Sequence, residues 1–265
     1  MRDSIQIIIV SHNHGGFLYN CLDSLHRNTS LKIKIVVIIN NPKDDISYEI
    51  IKKFLNKFYE IKILKNKKPQ GLAKNLNQGI KLFNEDFILI LNPDTILTKN
   101  AIDNLYKFAK NMPKAAICGP KILNPDESIQ YSARRFPNFK TFLIRRLPWR
   151  KFFINSKINL HHLGYDLDLN KSQRVDWLLG ACWLVKRKAI EDIGLFDERY
   201  YLYVEDIDYC YRVWKKGWEC WYVPQSTIIH YHQAESDKRF FTIYNLYHIK
   251  SMFYYFLKNN LKIIK

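Results

Sequence analysis

The chain has 265 residues, of which 47% are hydrophobic and 25% charged. This balance is typical of a globular protein and excludes a disordered chain or a small disulfide scaffold, while the length allows one large domain or one domain with an appendage. The formal net charge of +17 calls for an anionic partner such as nucleic acid, anionic lipid or a phosphorylated substrate.

The excess positive charge is concentrated in two segments. Residues 128–165 contain eight Lys or Arg and no acid, and residues 238–265 contain six and no acid. Because the rest of the chain is nearly neutral, the sequence predicts two local basic surfaces and not a general polycation.

The cysteines and the first residues indicate the compartment. Five cysteines without a CxxC pair fit neither a zinc cage nor a disulfide framework and indicate a reducing environment. Residues 1–16 have too short an apolar run and lack a small-residue cleavage site, so we expect no signal peptide. We therefore expect a cytoplasmic location.

The first half of the chain alternates short apolar runs with amphipathic stretches. The expected strands are Ile5–Val10, Ile33–Ile39, Ile61–Leu64 and Phe87–Leu91, and the expected helices are Phe17–Arg27, Ile46–Phe58, Leu72–Phe83 and Ala101–Lys110. This alternation indicates βαβ units around a parallel sheet, with ligands bound at the carboxyl ends of the strands. Neither GxGxxG nor GxxxxGK followed by Ser or Thr occurs, so a nucleotide would be held by other means.

The second half of the chain is less regular. We expect extended segments at Ala115–Gly119, Val175–Val185, Trp218–Val223 and Thr227–His230, a helix at Glu205–Lys216, and a basic aromatic stretch at Tyr131–Lys157. No repeat or low-complexity linker divides the sequence, which favours one mixed α/β domain. The apolar stretch Phe240–Leu257 predicts an amphipathic helix that either lies on an anionic membrane or docks on the core.

Polar residues directly follow the predicted strand Phe87–Leu91. Asn92 and Asp94 would lie at the ligand edge of the sheet, where a carboxylate can hold a divalent cation that bridges a diphosphate. The same segment, with Pro93 between them, is also typical of a simple turn. His230 and His232 alternate on an extended segment, so only one can face such a cation, and either can instead be structural.

Three acids occur within four residues at the start of the predicted helix Glu205–Lys216. Glu205, Asp206 and Asp208 can stabilise the helix through its macrodipole, or they can supply an ionised general base that takes a proton from a hydroxyl. Gly180 interrupts a run of bulky residues, which indicates either a close approach to the backbone or a β-bulge.

Taken together and in order, these motifs resemble family-2 glycosyltransferases with the GT-A fold, over about residues 5–255. The motifs are Val10–Asn13, Asn40–Asn41, Gly71–Ala73, Asn77–Gly79, Asn92–Asp94, Val175–Trp177, Gly180, Glu205–Asp208 and Ile229–His230. Tyr131–Pro137 and Tyr201–Asp208 further resemble the bacterial rhamnosyltransferase type. The resemblance implies an α/β fold with a mixed, mostly parallel central sheet flanked by helices.

The resemblance also implies a division of the chain. Residues 1–235 would form the glycosyltransferase domain, with a nucleotide-sugar-binding half at 1–114 and an acceptor-binding half at 115–235. Residues 236–265 would add a C-terminal basic aromatic helix that associates with the membrane or packs on the core.

The reaction implied by the resemblance is an inverting transfer of a sugar from a nucleotide diphosphate to an acceptor hydroxyl. Asp206 would be the catalytic base, and Mg²⁺ or Mn²⁺ would be held by Asn92, Asp94 and His230. Donor contacts would come from Ser11, Asn13, Asn40, Gly71 and Asn77, and acceptor contacts from Arg134, Arg135, Trp177, Gly180 and Glu205. Two positions depart from the family, since Asn40 stands where Asp is usual and Asn92 replaces the first acid of the DXD motif.

The rhamnosyltransferase type favours L-rhamnose from a dTDP donor, with a UDP donor as the alternative. The acceptor would be a polyprenyl-diphosphate-linked glycan used for O-antigen or cell wall, met at the cytoplasmic face of the inner membrane. Arginines interleaved with aromatic residues in residues 134–153 suit such an acceptor. Two alternatives stay open: a noncatalytic scaffold of a membrane assembly, and a basic nucleic-acid-binding module. No nucleic-acid motif occurs, so we expect no nucleic acid as partner.

Overall fold

In the computed structural model of the protein, residues 4–146, 150–231 and 242–259 are described. The strands are β1 (Ser4–Ser11), β2 (Lys32–Ile39), β3 (Glu60–Lys65), β4 (Phe87–Leu91), β5 (Thr95–Leu97), β6 (Ala115–Leu123), β7 (Ile129–Gln130), β8 (Ala133–Arg134), β9 (Gln173–Arg174), β10 (Trp177–Leu178), β11 (Cys182–Lys186) and β12 (Glu219–His230). The helices are α1 (Gly15–Asn28), α2 (Asp45–Lys52), α3 (Leu72–Ile80), α4 (Ala101–Asn111), α5 (Phe139–Arg146), α6 (Lys157–His162), α7 (Arg187–Ile193), α8 (Glu205–Lys215) and α9 (Ile243–Lys258), with a 3₁₀ turn at Arg150–Phe153.

A sheet of ten strands, counted over the described residues, runs through the centre of the molecule. Its main order is β3-β2-β1-β4-β11-β6-β12-β5, with β7 paired to β6 and β9 to β12. Strands β1 to β4 pair in parallel, β11 is antiparallel to both of its neighbours, and β12 is parallel to β6. Strands β8 and β10 form a separate antiparallel ribbon. The predicted mixed, mostly parallel architecture is therefore confirmed.

The central strands are buried on both faces, which explains their continuous apolar sequences. Along β1, Ile8 packs with Leu76 of α3 on one face, while Ile7 and Ile9 pack with Leu22 of α1 on the other. This double burial fixes the strand register, because a shift of one residue would exchange the two faces. The polar residues that follow these strands are consequently held at one edge of the sheet.

Several element boundaries differ from the sequence-based expectation. Helix α2 ends at Lys52 and not at Phe58, and α3 ends at Ile80 and not at Phe83. The segments expected separately at Trp218–Val223 and Thr227–His230 form one strand, β12, which includes Pro224 because a register shift between Val223 and Thr227 tolerates a residue without an N–H. The expected single run Val175–Val185 is divided into β10 and β11. The short elements β5 and α7 were not expected.

The C-terminal helix α9 packs on the core through one face. Met252, Tyr255 and Phe256 are buried, and the Phe256 ring contacts the rings of Phe139 and Phe142 on α5. This face of α9 therefore packs on the core, which was one of the two expected alternatives. Residues 236–241 and 260–265 of the predicted C-terminal segment lie outside the described residues. Over the part of the chain that is described, none of the helices combines the length and the apolar content needed to cross a bilayer.

Candidate active site

Residues that are distant in sequence line one cleft at the carboxyl end of β4. Asn92 follows β4, Gly180 precedes β11, and Glu205 and Asp206 begin α8; all four line this cleft. Its remaining walls are largely apolar, formed by Val10, Leu72, Leu76, Ile90, Leu91, Trp183 and Phe196. The fold thus brings part of the predicted metal site and the predicted base to the same cleft.

Asp94 and His230 meet beside this cleft. His230 ends β12, which pairs with β5 directly after the Asn92–Asp94 segment, and its Nε2 lies 3.3 Å from Asp94 Oδ1. Both residues are buried. Burial alone would raise the pKa of the Asp94 carboxyl, but the hydrogen bond and the charge of His230 outweigh it and lower that pKa. Asp94 is therefore ionised at neutral pH, as a cation ligand must be.

The ring orientation of His230 is set by a residue that sequence reasoning missed. His230 Nδ1 lies 2.7 Å from Oε1 of Gln130 on β7, which leaves Nε2 directed at Asp94. No sequence signal singles out Gln130, because only the pairing of β7 with β6 brings it here. His232 lies outside the described residues. Within the described residues, no group of three or more His, Cys, Asp or Glu side chains has the geometry of a metal site.

Asp206 lies in the first turn of α8 and is held by two backbone N–H groups. Oδ1 accepts a hydrogen bond from Ile207 N at 2.9 Å, and Oδ2 accepts a longer one from Gly180 N at 3.4 Å. Burial raises the pKa of Asp206, whereas these N–H groups and the charge of Arg134 act in the opposite direction. A carboxylate with a raised pKa that remains accessible from a cleft is suited to accept a proton.

Glu205 is buried next to Asp206. Its Oε2 has no hydrogen-bond partner among the described residues. Burial and the neighbouring charge of Asp206 raise the pKa of Glu205. Since two adjacent buried carboxyls do not both ionise readily, the proton is held more firmly by Glu205 than by Asp206, whose carboxylate is stabilised by two backbone N–H groups.

The segment before Asp206 is held in an unusual conformation. Tyr203 and Val204 have φ values of 67° and 71°, in the left-handed region that β-branched and aromatic residues rarely adopt. Gly71, which precedes α3, permits this arrangement, because a Cβ there would lie 2.8 Å from the Tyr201 carbonyl oxygen. Leu72 N donates a hydrogen bond to the same oxygen. Gly71, expected as a donor contact, therefore positions the segment that carries the base.

The expected donor residues after β1 lie in a connected polar network. Ser11 Oγ lies 2.8 Å from Ser47 Oγ, and Asn13 N donates to Oδ2 of Asp44. Asp44 also caps α2 by accepting from Ser47 N. Asp44 was not singled out from the sequence, although an Asp directly before a helix, with its side chain near the N–H three residues later, is a typical N-cap residue. Sequence reasoning also missed His14, which is near enough to Asp94 for their charges to interact.

Asn40 and Asn77 have structural partners. Asn40 Oδ1 accepts from Asn66 Nδ2 and Gln70 N, and its Nδ2 donates to Gln70 O, so the side chain joins two loops at the sheet edge. Asn77 is buried and is bonded through both amide atoms to the backbone of Phe196. Thus Asn40 lies at the edge of the sheet that is predicted to bind the nucleotide sugar, while Asn77 is buried beneath this edge.

The two neighbouring arginines of the acceptor half face different surroundings. Arg134 lies over the ring of the buried Trp177, with its guanidinium carbon 5.3 Å from the ring centroid. Arg135 instead contacts Asp166 at 2.7 Å and Asp176 at 3.7 Å. Arg135 follows the end of β8 and its guanidinium is held by these two carboxylates, whereas Arg134 lies against Trp177 and its charge reaches Asp206.

The sequence is similar to those of known proteins. Residues 6–194 match the model of the family described as Glycosyl transferase family 2. An N-acetylglucosaminyl-diphospho-decaprenol L-rhamnosyltransferase of Mycobacterium tuberculosis is 29% identical, over 90% of this chain and 79% of its own. Rhamnosyltransferase WbbL of Escherichia coli is 27% identical, over 97% of this chain and 94% of its own.

The fold is similar to that of a solved glycosyltransferase. The crystal structure of GalNAc-T7 with UDP, GalNAc and Mn²⁺ superposes with a TM-score of 0.66 at 19% identity. It matches 90% of this chain, which spans 45% of that protein. This likeness confirms the predicted GT-A architecture.

Proposed function

The chain belongs to glycosyl transferase family 2, and from that membership we propose that it transfers L-rhamnose with inversion from dTDP-L-rhamnose to a hydroxyl of a polyprenyl-diphosphate-linked glycan. The sugar and the acceptor follow the names of the two rhamnosyltransferase relatives. Residues 1–114 then bind the nucleotide sugar and residues 115–235 the acceptor. The product would enter a cell-surface polysaccharide.

One observation supports this proposal above the others. Asn92, at the diphosphate side, and Asp206, at the acceptor side, line the same cleft although 113 residues separate them in the chain. An inverting displacement requires a base on the face of the sugar opposite the departing diphosphate. A noncatalytic scaffold has no need for this arrangement.

Asp206 acts on the acceptor. Its ionised carboxylate takes the proton of the attacking hydroxyl as the new bond to the anomeric carbon forms and the bond to the diphosphate breaks. The N–H groups of Ile207 and Gly180 hold the carboxylate in place. Glu205, which retains its proton, keeps a second negative charge away from the base. No covalent sugar intermediate is needed.

The donor side fits a divalent cation. Asn92 and Asp94 offer oxygen and His230 offers nitrogen, a set that suits Mn²⁺ and, less well, Mg²⁺, with diphosphate oxygens as further ligands. When bound, such a cation neutralises the charge that develops on the departing diphosphate. The segment from Ser11 to Asn13 at the end of β1 and the polar network around Asn40 would hold the nucleotide.

The surface beside the acceptor half fits a membrane. Leu143, Phe152 and Ile158 are exposed on and near α5 and α6, and Leu246 and Leu257 are exposed on α9. These segments belong to the two stretches of sequence that contain basic residues and no acids. Exposed apolar side chains among lysines and arginines favour binding to anionic lipid, so we place the enzyme at the cytoplasmic face of the membrane.

A transfer assay with a defined acceptor tests the function. The purified protein, with Mn²⁺ or Mg²⁺, is incubated with N-acetylglucosamine on a short prenyl diphosphate and with dTDP-rhamnose, UDP-glucose or GDP-mannose in turn. We expect a disaccharide lipid with dTDP-rhamnose, formed roughly a thousandfold more slowly by Asp206→Asn. Product with only UDP-glucose or only GDP-mannose would refute rhamnose as the transferred sugar. Absence of product with all three donors would refute the proposed reaction.

A further inference from the structure

Residues 200–204, which we call the base segment, directly precede the helix that carries Asp206. Tyr203 and Val204 in this segment have left-handed φ values of 67° and 71°. Aromatic and β-branched residues rarely adopt this conformation, and it persists only where the surrounding structure fixes it. The contacts that fix the base segment therefore also determine where the first turn of α8 and its carboxylate lie.

Helix α9 contacts the base segment residue by residue. Four consecutive residues of the segment each meet a different residue of the helix. The contacting pairs are Tyr200 with Tyr254, Tyr201 with Tyr247, Leu202 with Ser251, and Tyr203 with His248. The four partners on α9 are spaced as i, i+1, i+4 and i+7, so they share one face of the helix. On its other side the segment meets α3, where Leu72 N donates to the Tyr201 carbonyl oxygen at 2.9 Å.

Ser251 makes the hydrogen bond among these four contacts. Its side chain is buried, and its Oγ donates to the Leu202 carbonyl oxygen at 3.1 Å. A serine hydroxyl inside a helix commonly bonds to a carbonyl one turn earlier in the same helix. Here it bonds to the backbone of another element. Because a hydrogen bond is limited in both distance and angle, whereas ring contacts permit centroid separations of about 4.5–7 Å, this bond restricts the backbone of the base segment most closely.

The carboxylate of Asp206 is sensitive to a small displacement of this backbone. Its Oδ2 accepts a hydrogen bond from Gly180 N at 3.4 Å, close to the longest separation at which such a bond forms. Leu202 lies four residues before Asp206, and the two left-handed residues lie between them. Without a partner for the Leu202 carbonyl, the left-handed pair can relax, and the first turn of α8 then moves away from Gly180.

We propose that Ser251 is a positioning residue for the base: by holding the Leu202 carbonyl, it keeps Asp206 where the acceptor hydroxyl is deprotonated. This proposal rests on the proposed function and adds a residue of the C-terminal helix to the reaction. Ser251 acts through the backbone of the base segment, so its loss should slow the chemical step. Donor binding should be unaffected, because Asn92 and Asp94 follow β4 and not the base segment.

Amide hydrogen exchange on the full chain tests the contact without any sugar transfer. It compares the wild type with Ser251→Ala and with the matched control Tyr222→Phe, which removes another buried hydroxyl that donates to a distant backbone carbonyl, that of Leu169, at 3.2 Å. Residues 200–208 should exchange about fivefold faster in Ser251→Ala, as expected when one neutral hydrogen bond is lost. In Tyr222→Phe the exchange of these residues should stay within about twofold of wild type.

Transfer kinetics test the consequence for the base. Ser251→Ala should lower kcat by about ten- to a hundredfold, because a misplaced catalytic group loses much of its effect, while KM for dTDP-rhamnose stays within about twofold. Ser251→Thr retains a hydroxyl and should have a higher kcat than Ser251→Ala. Tyr222→Phe should keep the wild-type kcat, since it removes a bond of the same kind elsewhere.

The outcomes separate a positioning role from a general loss of stability. A wild-type kcat in Ser251→Ala, or unchanged exchange of residues 200–208, would overturn the proposal, as would equal losses of kcat in Ser251→Ala and Tyr222→Phe. If thermal unfolding shows that Ser251→Ala is not folded, Tyr247→Leu, which removes the ring that contacts Tyr201, should show the same faster exchange and lower kcat.

The proposed reaction can fail separately. A wild-type protein that transfers no sugar from any donor, but in which Ser251→Ala accelerates exchange of residues 200–208 as expected, would refute the reaction and support the contact between α9 and the base segment. A protein that transfers sugar equally well with and without the Ser251 hydroxyl would support the reaction and overturn the positioning role.

Discussion

The ammonium nitrogen of Lys258, in the last turn of α9, lies 2.8 Å from Oδ1 of Asp208 on α8. Asp208 is almost fully buried and also accepts hydrogen bonds from Tyr200 and Arg212. Asp197 contacts the same ammonium group at 2.8 Å. The C-terminal helix is thereby tied to the helix that begins with the base, and the third acid of the Glu205–Asp208 motif is a structural residue.

Removing this connection should destabilise the fold. Lys258→Met leaves Asp208 with only part of its charge compensation, and we expect a loss of about 2 kcal/mol in the free energy of unfolding. Urea denaturation measures it. Lys250→Met, at an exposed position of the same helix, is the control and should stay within about 0.5 kcal/mol of wild type. Equal effects of the two variants would show that the connection contributes nothing.

Substitutions of Asp206 and Asp208 should affect different properties, the first the transfer rate and the second the stability of the fold. Asp206→Asn removes the base and should lower the transfer rate roughly a thousandfold while the protein remains folded, because general base catalysis contributes about 10²–10⁴. Asp208→Asn should instead lower the melting temperature, since it disrupts a buried ionic network. Rate assays and thermal unfolding on both variants check this. A variant Asp206→Asn with wild-type rates would refute the assignment of the base.

The sequence predicted the central fold well for a physical reason. Strands buried on both faces must be continuous apolar runs, so β1, β2 and β4 and the polar loops after them could be located directly. The roles of side chains that depend on tertiary contacts could not be predicted from the sequence. Arg134 and Arg135 are adjacent residues of the same type, and only their tertiary contacts, with Trp177 for Arg134 and with Asp166 and Asp176 for Arg135, distinguish their surroundings.

The same limit applies to the candidate site. Order and spacing of motifs indicated Asp94, His230 and Asp206, because the resemblance covers those positions. Gln130, which orients His230, gave no signal, since a glutamine on a two-residue strand has no local pattern. Asn77 matched a motif and was expected to contact the nucleotide sugar, yet its side-chain amide donates a hydrogen bond to the backbone carbonyl of Phe196. Local patterns locate loops, whereas the hydrogen-bond partners of a polar side chain depend on distant segments.

Glu205 should make stability depend on pH. Its pKa in the folded state is raised, so the folded state binds that proton more tightly than the unfolded chain, and stability falls as pH rises from the unfolded toward the folded pKa. Glu205→Gln removes this loss and should stabilise the protein by about 1–2 kcal/mol at pH 8 and less at pH 5. Urea unfolding at several pH values measures the difference. Glu191→Gln, an exposed control on α7, should leave the pH profile unchanged.

Asp94 should control stabilisation by a nucleotide and a cation together. In the wild type, dTDP with Mn²⁺ should raise the melting temperature, because a ligand that binds only the folded state stabilises it. Asp94→Asn should abolish most of that rise, as should EDTA. Asp86→Asn, exposed at the opposite end of β4, is the matched control and should retain it. If Asp94→Asn kept the full rise, the cation would be held elsewhere.

Gly71 should couple the start of α3 to the base. A Cβ at this position would lie 2.8 Å from the Tyr201 carbonyl oxygen and 2.9 Å from its Cα, and backbone atoms cannot yield as a flexible side chain can. Gly71→Ala should therefore displace the Tyr201–Val204 segment, lower stability by about 1–3 kcal/mol and reduce the transfer rate by moving Asp206. Gly16→Ala is the matched control: among the described residues its Cβ meets open space, and in helix α1 it should be neutral or stabilising. Comparing the unfolding free energies and rates of the two variants checks the coupling, and a fully active Gly71→Ala protein would show that the base does not depend on this contact.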